Sequence, residues 1–339
     1  MYKEILQLVS FTLGMVFIIA ILKRETFLTK PRAFLLVASL LMVIFSLPDV
    51  YLFSSIKYIL AAGVAFLAII SLILMFQPGK QRYLFNSDQI ARNLVDNALN
   101  QYESRLRVKN KILVVIPAYN EAENIEAVIK SAPKSVFKHR VELVIVDDGS
   151  NDGTSDIANA AGAMVIKSPI NRGGGYALQL GFQFCKLAKM PFIVTMDADG
   201  QHEFSDFKNI LQPLIEKDFD IVIGSRTLGS TEMKDQARSF GISIFNHIIS
   251  FLTGSRTTDC SNSYRGFTLE ALTKLNLFEL RHHTAELLIE AARKKVKVCE
   301  VPVHIKERNS GTSKKGSNLV YGLRFALSIL TSWWRAEKH

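Results

Sequence analysis

The chain has 339 residues, of which 48% are hydrophobic and 21% are charged, and its formal net charge is +10. This composition excludes a disordered chain, and 19 Gly with 9 Pro exclude a collagen-like or low-complexity protein. The length is sufficient for two domains, and the positive charge points to an anionic partner, either a nucleic acid or a membrane surface.

The charge is distributed unevenly along the chain. Residues 1–110 carry a net +6, residues 111–280 carry −3, and residues 281–339 carry +7. A nucleic-acid-binding core would have the opposite distribution, so we expect a membrane and no nucleic acid as partner. The three cysteines are widely spaced and form no C-x-x-C pattern, which argues against a disulfide framework or a zinc site.

Three apolar runs occupy the first 80 residues. Residues 5–22, 33–47 and 58–76 contain no charged residue, and a membrane-spanning helix needs about 20 apolar residues. We therefore predict an all-α transmembrane unit of about three helices over residues 1–80. A cleaved signal peptide is the alternative for the first run, and a re-entrant or interfacial segment is the alternative for the shorter second run.

The cations of residues 23–32 predict the orientation of this unit. By the positive-inside rule that loop is cytoplasmic, which places the N-terminus outside and all residues after the third run in the cytoplasm. We therefore expect an integral protein of the cytoplasmic or endoplasmic reticulum membrane.

Helices are predicted on both sides of the central region. Residues 81–110 predict a helical connector that Ser87 or Asp88 caps, with an apolar stripe at four-residue spacing formed by Ile90, Leu94, Ala98 and Tyr102. Residues 316–339 predict an amphipathic C-terminal helix whose aromatic and basic residues suit a membrane interface. Packing against the core is the equal alternative for that helix.

Between residues 111 and 315, short apolar runs alternate with helical segments. Strands are predicted at residues 112–116, 141–146, 164–166, 192–196 and 221–223, and helices at residues 121–131, 155–161, 176–188 and 204–215. This alternation predicts an α/β fold with a mostly parallel sheet that is covered on both faces. Ligands of such sheets bind at the carboxyl ends of the strands.

Each predicted strand is followed by a polar segment. These segments begin at Pro117, Asp147, Asn171, Asp197 and Gly224. The second segment is equally consistent with an Asx-type turn that caps the next helix. The third segment is rich in glycine and could cradle a phosphate, but it does not match the dinucleotide-binding or P-loop pattern.

The segment after the fourth predicted strand carries the strongest chemical signal. In an extended chain residues two apart point the same way, so Asp197 and Asp199 place two carboxylates together, with the Gln201 amide oxygen close by. These hard oxygen ligands suit Mg²⁺ or Mn²⁺, ions that often bridge to a diphosphate. The sequence therefore predicts a divalent metal site here.

Together these motifs resemble glycosyltransferase family 2, whose members have the GT-A fold of nucleotide-diphospho-sugar transferases. The resemblance covers about residues 111–315 and is nearest to the dolichyl- and undecaprenyl-phosphate hexosyltransferases. It implies a nucleotide-sugar site, a metal site and an acceptor site. The implied residues are Pro117, Tyr119, Glu121, Asp148, Gly173, Asp197 and Asp199 for the nucleotide sugar; Asp197, Asp199 and Gln201 for the metal; Arg226, Arg238, Asp259, Arg265, Arg308, Ser313 and Lys314 for the acceptor; and Asp197, Asp199, Arg226 and Arg238 for catalysis.

The resemblance implies an inverting enzyme that moves a hexose, mannose or glucose, from a GDP- or UDP-sugar to a polyprenyl phosphate at the cytoplasmic membrane face. A lipid phosphate needs cations to position it, whereas a hydroxyl acceptor such as a lipid-linked saccharide would need a base, for which Asp259 or Glu286 are candidates. An inactive nucleotide-sugar-binding membrane subunit is the alternative of another class. The sequence leaves the sugar, the base, the lipid and the oligomeric state open.

Two departures from the family pattern stand out. Gly174 lies where many relatives carry a larger or basic residue, and the apolar runs precede the catalytic region, whereas several relatives carry theirs after it. The chain also lacks a Gln-x-x-Arg-Trp motif, which argues against a processive polysaccharide synthase.

Overall fold

The computed structural model describes residues 88–232, 236–280, 283–308 and 318–336. The chain divides between Gln81 and Arg82, and every described residue belongs to the C-terminal unit. The three apolar runs predicted to span the membrane lie outside the described residues. Among the helices that are described, none combines the length and apolarity needed to cross a bilayer.

Ten α-helices and eight strands lie in the described part of the chain. In order they are α1 (Gln89–Gln101), α2 (Glu103–Leu106), β1 (Lys111–Ala118), α3 (Ala122–Ser131), β2 (Ser135–Val136), β3 (His139–Asp147), α4 (Thr154–Ala160), β4 (Met164–Lys167), α5 (Gly174–Leu187), β5 (Phe192–Thr195), α6 (Phe207–Ile215), β6 (Ile221–Thr231), α7 (Gln236–Thr253), β7 (Arg265–Thr268), α8 (Leu269–Lys274), α9 (His283–Arg293), β8 (Val298–Ile305) and α10 (Asn318–Ala336). A short 3₁₀ turn, Phe204–Asp206, leads into α6.

The strands form one mixed sheet in the order β2-β3-β1-β5-β7-β6-β8, with β4 beside β3. Parallel pairs join β1 to β3 and β5, β3 to β4, and β6 to β8. Strand β7 runs antiparallel to β5 and β6, and β2 runs antiparallel to β3. The predicted α/β class is confirmed, whereas β2, β7 and β8 were not predicted.

The core lies on both faces of this sheet. Leu113 and Val115 of β1 join a cluster that includes α1, α5, α9 and α10. Ile112, Val114 and Ile116 join a second cluster with α3 and α6. Since successive side chains of a strand point to opposite faces, burial on both faces explains the unbroken apolar run of β1.

Helix α1 confirms the predicted connector helix. In its predicted apolar stripe, Ala98 and Tyr102 are buried and Leu94 packs against the core, whereas Ile90 does not. Asp88 caps the helix, because its carboxylate accepts a hydrogen bond from the Ala91 N–H at 3.0 Å. Ile90 is 47% exposed. The buried positions are Ala91, Val95, Ala98 and Tyr102, whose steps of four, three and four follow the 3.6-residue helical repeat better than constant steps of four.

The predicted end of the fifth strand at Gly224 is wrong. Strand β6 continues to Thr231, with an irregular register against β8 between Ser225 and Ser230. A side chain at Gly224 would place its Cβ 2.8 Å from the Val303 side chain, so the close approach of β8 requires glycine there. Such irregularities commonly re-aim side chains beside functional sites, and Arg226 lies in this one.

Helix α10 packs one face against the core. Its buried side chains are Phe325, Ser328, Ile329 and Ser332, and the Phe325 ring lies 4.9 Å from the ring of Phe245 in α7. For this face of the C-terminal helix, the core-packing alternative is therefore the one the structure shows.

Candidate active site

The polar segments that follow β1, β3 and β4 meet at one edge of the sheet. Ala118 at the end of β1 lies opposite Asp147 of β3, and Asp147 lies opposite Lys167 of β4. The Asp148 N–H donates to the Ala118 carbonyl at 2.9 Å. Parallel register thus brings the segments beginning at Tyr119, Asp148 and Ser168 together.

Asp147 stabilises the turn between β3 and α4. Its carboxylate accepts the Ser150 N–H at 2.8 Å and the Ser155 hydroxyl. The Ser150 hydroxyl in turn accepts the Asn120 N–H at 2.8 Å. The Asx-turn alternative is therefore the arrangement observed for Asp147, which is fully buried.

Asp148 holds the glycine-rich loop that precedes α5. Its two carboxylate oxygens accept the N–H groups of Arg172 at 2.9 Å and of Gly173 at 2.6 Å. The Arg172 guanidinium forms an ion pair with Asp88 and lies 4.8 Å above the ring of Tyr176. The loop is thus anchored to the residue after β3, to the N-cap of α1 and to α5.

Gly149 follows Asp148 in a left-handed conformation with φ of +81°. A Cβ at this position would lie 2.6 Å from the backbone carbon of Ile170. Glycine is therefore required both for the turn and for the close approach of the glycine-rich loop.

Arg308 joins two of the predicted donor-site carboxylates. Its Nη2 lies 3.0 Å from the Asp199 Oδ2 and 3.4 Å from the Glu121 Oε1. The other Glu121 oxygen accepts from the Asn124 side chain at 2.8 Å. The structure therefore brings together a residue predicted for the acceptor and two predicted for the nucleotide sugar and metal.

The Asp197–Gln201 segment is held by a histidine that sequence reasoning missed. The Asp197 N–H donates to the His202 Nδ1 at 3.0 Å, so this nitrogen carries no proton. The His202 Nε2 lies 3.0 Å from the Asn262 Oδ1, to which it donates. The ring is therefore neutral, and it positions the backbone at Asp197. Its place directly after the Asp-x-Asp pair was the available signal.

Asn262 is the second residue that sequence reasoning did not single out. Its side-chain amide donates to the Gly224 carbonyl at 2.7 Å, and its Oδ1 also accepts the Tyr264 N–H at 3.1 Å. Asn262 therefore links β6 to His202 and, through it, to Asp197.

Gln201 faces β8. Its Nε2 donates to the Lys306 carbonyl at 3.0 Å, and its N–H donates to the Asp199 Oδ1 at 3.2 Å. The remaining amide oxygen is the atom by which Gln201 could act as the predicted metal ligand.

Arg226 and Asp259 form a bidentate ion pair at the predicted acceptor side. The Nε–Oδ2 and Nη2–Oδ1 distances are both 2.7 Å, and the Arg226 N–H also donates to Oδ2 at 3.0 Å. Burial alone would lower the pKa of Arg226, but the hydrogen bond and charge of Asp259, and more weakly Asp197, raise it. Within the described residues, the Arg226 Nη1 carries no hydrogen bond and can meet a ligand.

Two predicted residues of the acceptor region serve the backbone instead. The buried Arg265 guanidinium donates to the carbonyls of Asn262, Thr284 and Cys260 at 2.7–2.9 Å, and burial lowers its pKa to about 10. The buried Glu286 carboxylate accepts the N–H groups of residues 278 and 279. Arg265 thus holds the backbone of the segment to which it belongs, and its predicted contact with the acceptor stays a prediction.

Of the remaining predicted site residues, the structure describes some and not others. Pro117 and Tyr119 are half-buried at the end of β1. Arg238 lies in the first turn of α7, and its side chain is not among those described. Ser313 and Lys314 lie outside the described residues.

The donor atoms at this edge fit a hard divalent cation. Asp197, Asp199 and Gln201 offer only oxygen ligands, and a guanidinium already lies between the carboxylates of Asp199 and Glu121. No group of three or more His, Cys, Asp or Glu side chains suited to a metal occurs in the described residues. A metal held here would therefore share its coordination sphere with ligand oxygens, as Mg²⁺ usually does.

The mixed sheet, with paired acids after β5, has the GT-A fold that the sequence motifs predict. Glucosyl-3-phosphoglycerate synthase from Mycobacterium tuberculosis, solved with Mn²⁺, UDP and glucosyl-3-phosphoglycerate, has the same fold, with a TM-score of 0.53 and 18% identity over 74% of this chain and 84% of that one. The chain belongs to glycosyl transferase family 2, whose family model matches residues 113–275.

Two relatives support this assignment. The UDP-N-acetylglucosamine–dolichyl-phosphate N-acetylglucosaminyltransferase of Methanococcus voltae is 30% identical over 65% of this chain and 94% of the relative. The polyprenol monophosphomannose synthase of Mycolicibacterium smegmatis is 30% identical over 67% of this chain and 88% of the relative.

Proposed function

We propose that this glycosyltransferase moves a hexose, mannose or glucose, from a GDP- or UDP-sugar to a polyprenyl phosphate. The observation that carries the proposal is the pairing of Arg226 with Asp259 beside the Asp197–Gln201 segment, because it fixes a cation next to the acids of the donor site. The names of the two relatives describe transfer of N-acetylglucosamine to dolichyl phosphate and synthesis of a polyprenol monophosphomannose.

On the donor side, Asp197, Asp199 and the Gln201 oxygen would hold Mg²⁺ or Mn²⁺. When bound, the metal would neutralise the charge that develops on the departing nucleoside diphosphate. Asp148 supports this side by holding the glycine-rich loop, and His202 fixes the backbone at Asp197.

On the acceptor side, the chemistry favours a phosphate over a hydroxyl. A phosphate monoester is largely ionised near neutral pH and needs cations rather than a strong base. Both candidate bases are already engaged, since Asp259 binds Arg226 and Glu286 binds backbone N–H groups. Two nearby cations would position the lipid phosphate: Arg226 through its Nη1, which Asp259 does not occupy, and Arg308 when it leaves Asp199 and Glu121.

We also propose that the reaction takes place at the cytoplasmic face of a membrane. The support is the sequence of residues 1–80, whose three apolar runs suit an anchor and whose basic loop suits a cytoplasmic side.

The test is transfer by the purified full-length protein. It is given radiolabelled GDP-mannose, UDP-glucose or UDP-N-acetylglucosamine, with a polyprenyl phosphate or a lipid-linked saccharide as acceptor. We expect a metal-dependent, alkali-labile sugar phosphate in the lipid fraction with GDP-mannose or UDP-glucose. Product with the saccharide alone would indicate a hydroxyl acceptor, and binding without turnover of any donor would indicate an inactive subunit.

A further inference from the structure

Helix α7 carries an exposed apolar stripe on its outer face. Phe240, Ile244, Ile248 and Phe251 are 70, 44, 40 and 86% exposed. Their steps of four, four and three place them along one side of the helix. A contiguous apolar surface of this kind on a folded protein usually marks an interaction site.

The helix itself carries no acidic residue, although Glu232 and Asp235 precede it in the sequence. The eighteen residues of α7 include no Asp or Glu, Arg238 lies in the first turn, and Arg256 follows shortly after the last. The other exposed side chains described on this helix are Ser239, Ser243 and His247. An apolar helix face without acids, with Arg238 in its first turn and Arg256 beyond its last, fits the surface of a bilayer that contains anionic lipids.

The inner face of α7 is connected by hydrogen bonds to the segment that holds Arg226, the cation proposed to bind the acceptor. The Asn246 side chain donates to the Thr258 carbonyl at 2.6 Å and accepts the Cys260 N–H at 2.8 Å. Asn246 therefore brackets Asp259, which holds Arg226 in its bidentate pair. A surface that positions α7 would also position Arg226.

The strand that carries Arg226 adds to the same argument. Leu228, two residues further along β6, is 48% exposed. Leu228 thus lies close to Arg226 in the sequence. The stripe of α7 is connected to Arg226 through the hydrogen bonds of Asn246.

We propose that the outer face of α7 lies flat on the lipid bilayer and inserts Phe240 and Phe251 below the headgroups. Arg226 is then held at the depth of the lipid phosphates, where a polyprenyl phosphate presents its own phosphate. This inference rests on the proposed lipid acceptor and adds the surface through which the enzyme meets it.

The first test measures the depth of the stripe directly. Full-length protein carrying Phe251→Cys is labelled with a bimane fluorophore and reconstituted into phosphatidylcholine–phosphatidylglycerol vesicles that contain brominated lipids. The matched control is Phe137→Cys, an exposed aromatic position in the turn between β2 and β3. We expect brominated chains to quench the label at residue 251 but not at residue 137.

Two other results would overturn the proposal. A label at residue 251 that brominated lipid does not quench and aqueous iodide does quench would mean that the stripe faces water. A label shielded from both quenchers would mean that protein covers the stripe, and labelled samples that show excimers or energy transfer would identify a second copy.

The second test is kinetic and uses the Phe240→Ser/Phe251→Ser double variant, with Phe137→Ser as control. For polyprenyl phosphate in vesicles we expect the apparent KM to rise about tenfold, equivalent to about 1.4 kcal/mol, with kcat unchanged. Transfer to a water-soluble short-chain prenyl phosphate should be unaffected. Equal KM values for wild type and double variant would refute the docking surface, whereas no transfer by wild type would refute the proposed function.

Discussion

At the level of single residues, the two neighbouring acids at the end of β3, Asp147 and Asp148, have different tasks. Asp147 caps a turn, while Asp148 reaches across to bind the N–H groups of Arg172 and Gly173. The turn was one of two interpretations that the sequence allowed, because Asx turns depend on residues within a few positions. The sequence could not predict the contact of Asp148, because that depends on a loop 24 positions away.

Asp199 is the residue at which the donor chemistry can be tested most directly. Asp199→Asn removes the charge but keeps the size of the side chain, so kcat should fall about 100- to 1,000-fold through lost electrostatic stabilisation of the leaving diphosphate. The measurement is initial-rate transfer at saturating Mn²⁺. Asp156→Asn, an exposed position in α4, is the control. Full activity of Asp199→Asn under chelation would contradict the metal assignment.

At the level of elements, strands that are buried on both faces could be predicted from their apolar runs. Strands whose local sequence departs from that apolar pattern could not. Strands β1, β3 and β5 present unbroken apolar runs. Strand β7 has only four residues, includes Arg265 and Gly266, and exists because β5 and β6 flank it. Strand β6 continues past Arg226 because β8 pairs with it there, which no local pattern indicates.

The N-terminus of α1 should influence donor binding through the Asp88–Arg172 ion pair. Asp88→Asn preserves the helix cap, because Asn caps about as well as Asp, but it removes the charge that holds the Arg172 guanidinium. We expect KM for the nucleotide sugar to rise about fivefold, corresponding to about 1 kcal/mol, with kcat unchanged. Asp96→Asn, exposed on the same helix, should leave both parameters unchanged. A fall in kcat alone would argue against this coupling.

The start of α5 packs closely against the segment that precedes α9. A Cβ at Gly175 would lie 2.3 Å from the Glu279 carbonyl oxygen, whereas one at Gly174 would meet no atom within 4 Å. Gly175→Ala should therefore reduce the free energy of unfolding by about 1–3 kcal/mol. Gly174→Ala should be neutral or stabilising by up to about 1 kcal/mol. Urea denaturation measures both, and equal midpoints for the two variants would refute the close approach.

At the level of the whole molecule, the free thiols make folding sensitive to alkali. Burial raises the pKa of Cys260 to about 12 and of Cys299 to about 11, and it also raises the pKa of Cys185. The unfolded thiols ionise near pH 9. The stabilisation is therefore complete below about pH 9 and is lost as the pH rises toward the folded values.

This sensitivity can be measured by urea unfolding at about pH 8 and about pH 10. Between the two, Cys260→Ala should lose about 1 kcal/mol less stability than wild type, since one titrating thiol is absent. Lysine and tyrosine titrations occur in both proteins and cancel in the comparison. Identical losses would show that Cys260 does not contribute.

Arg308 also affects the molecule as a whole, because its guanidinium connects Glu121 and Asp199, which are far apart in the sequence. Chelation of divalent metal should leave the full-length protein folded. Arg308→Ala should lower the thermal midpoint under chelation, and Mn²⁺ should restore it, while the exposed Arg324→Ala should have little effect in either condition. An Arg308→Ala midpoint equal to wild type under chelation would contradict this role.

The position of Arg308 has a consequence for the order of events. It serves as a built-in counter-ion that offsets part of the negative charge of Glu121 and Asp199. A divalent cation that binds the Asp199 Oδ2 would compete with Arg308 for that oxygen. Loading of the donor would thereby release a guanidinium just when an anionic acceptor has to be received, which favours a sequential mechanism with the donor bound first.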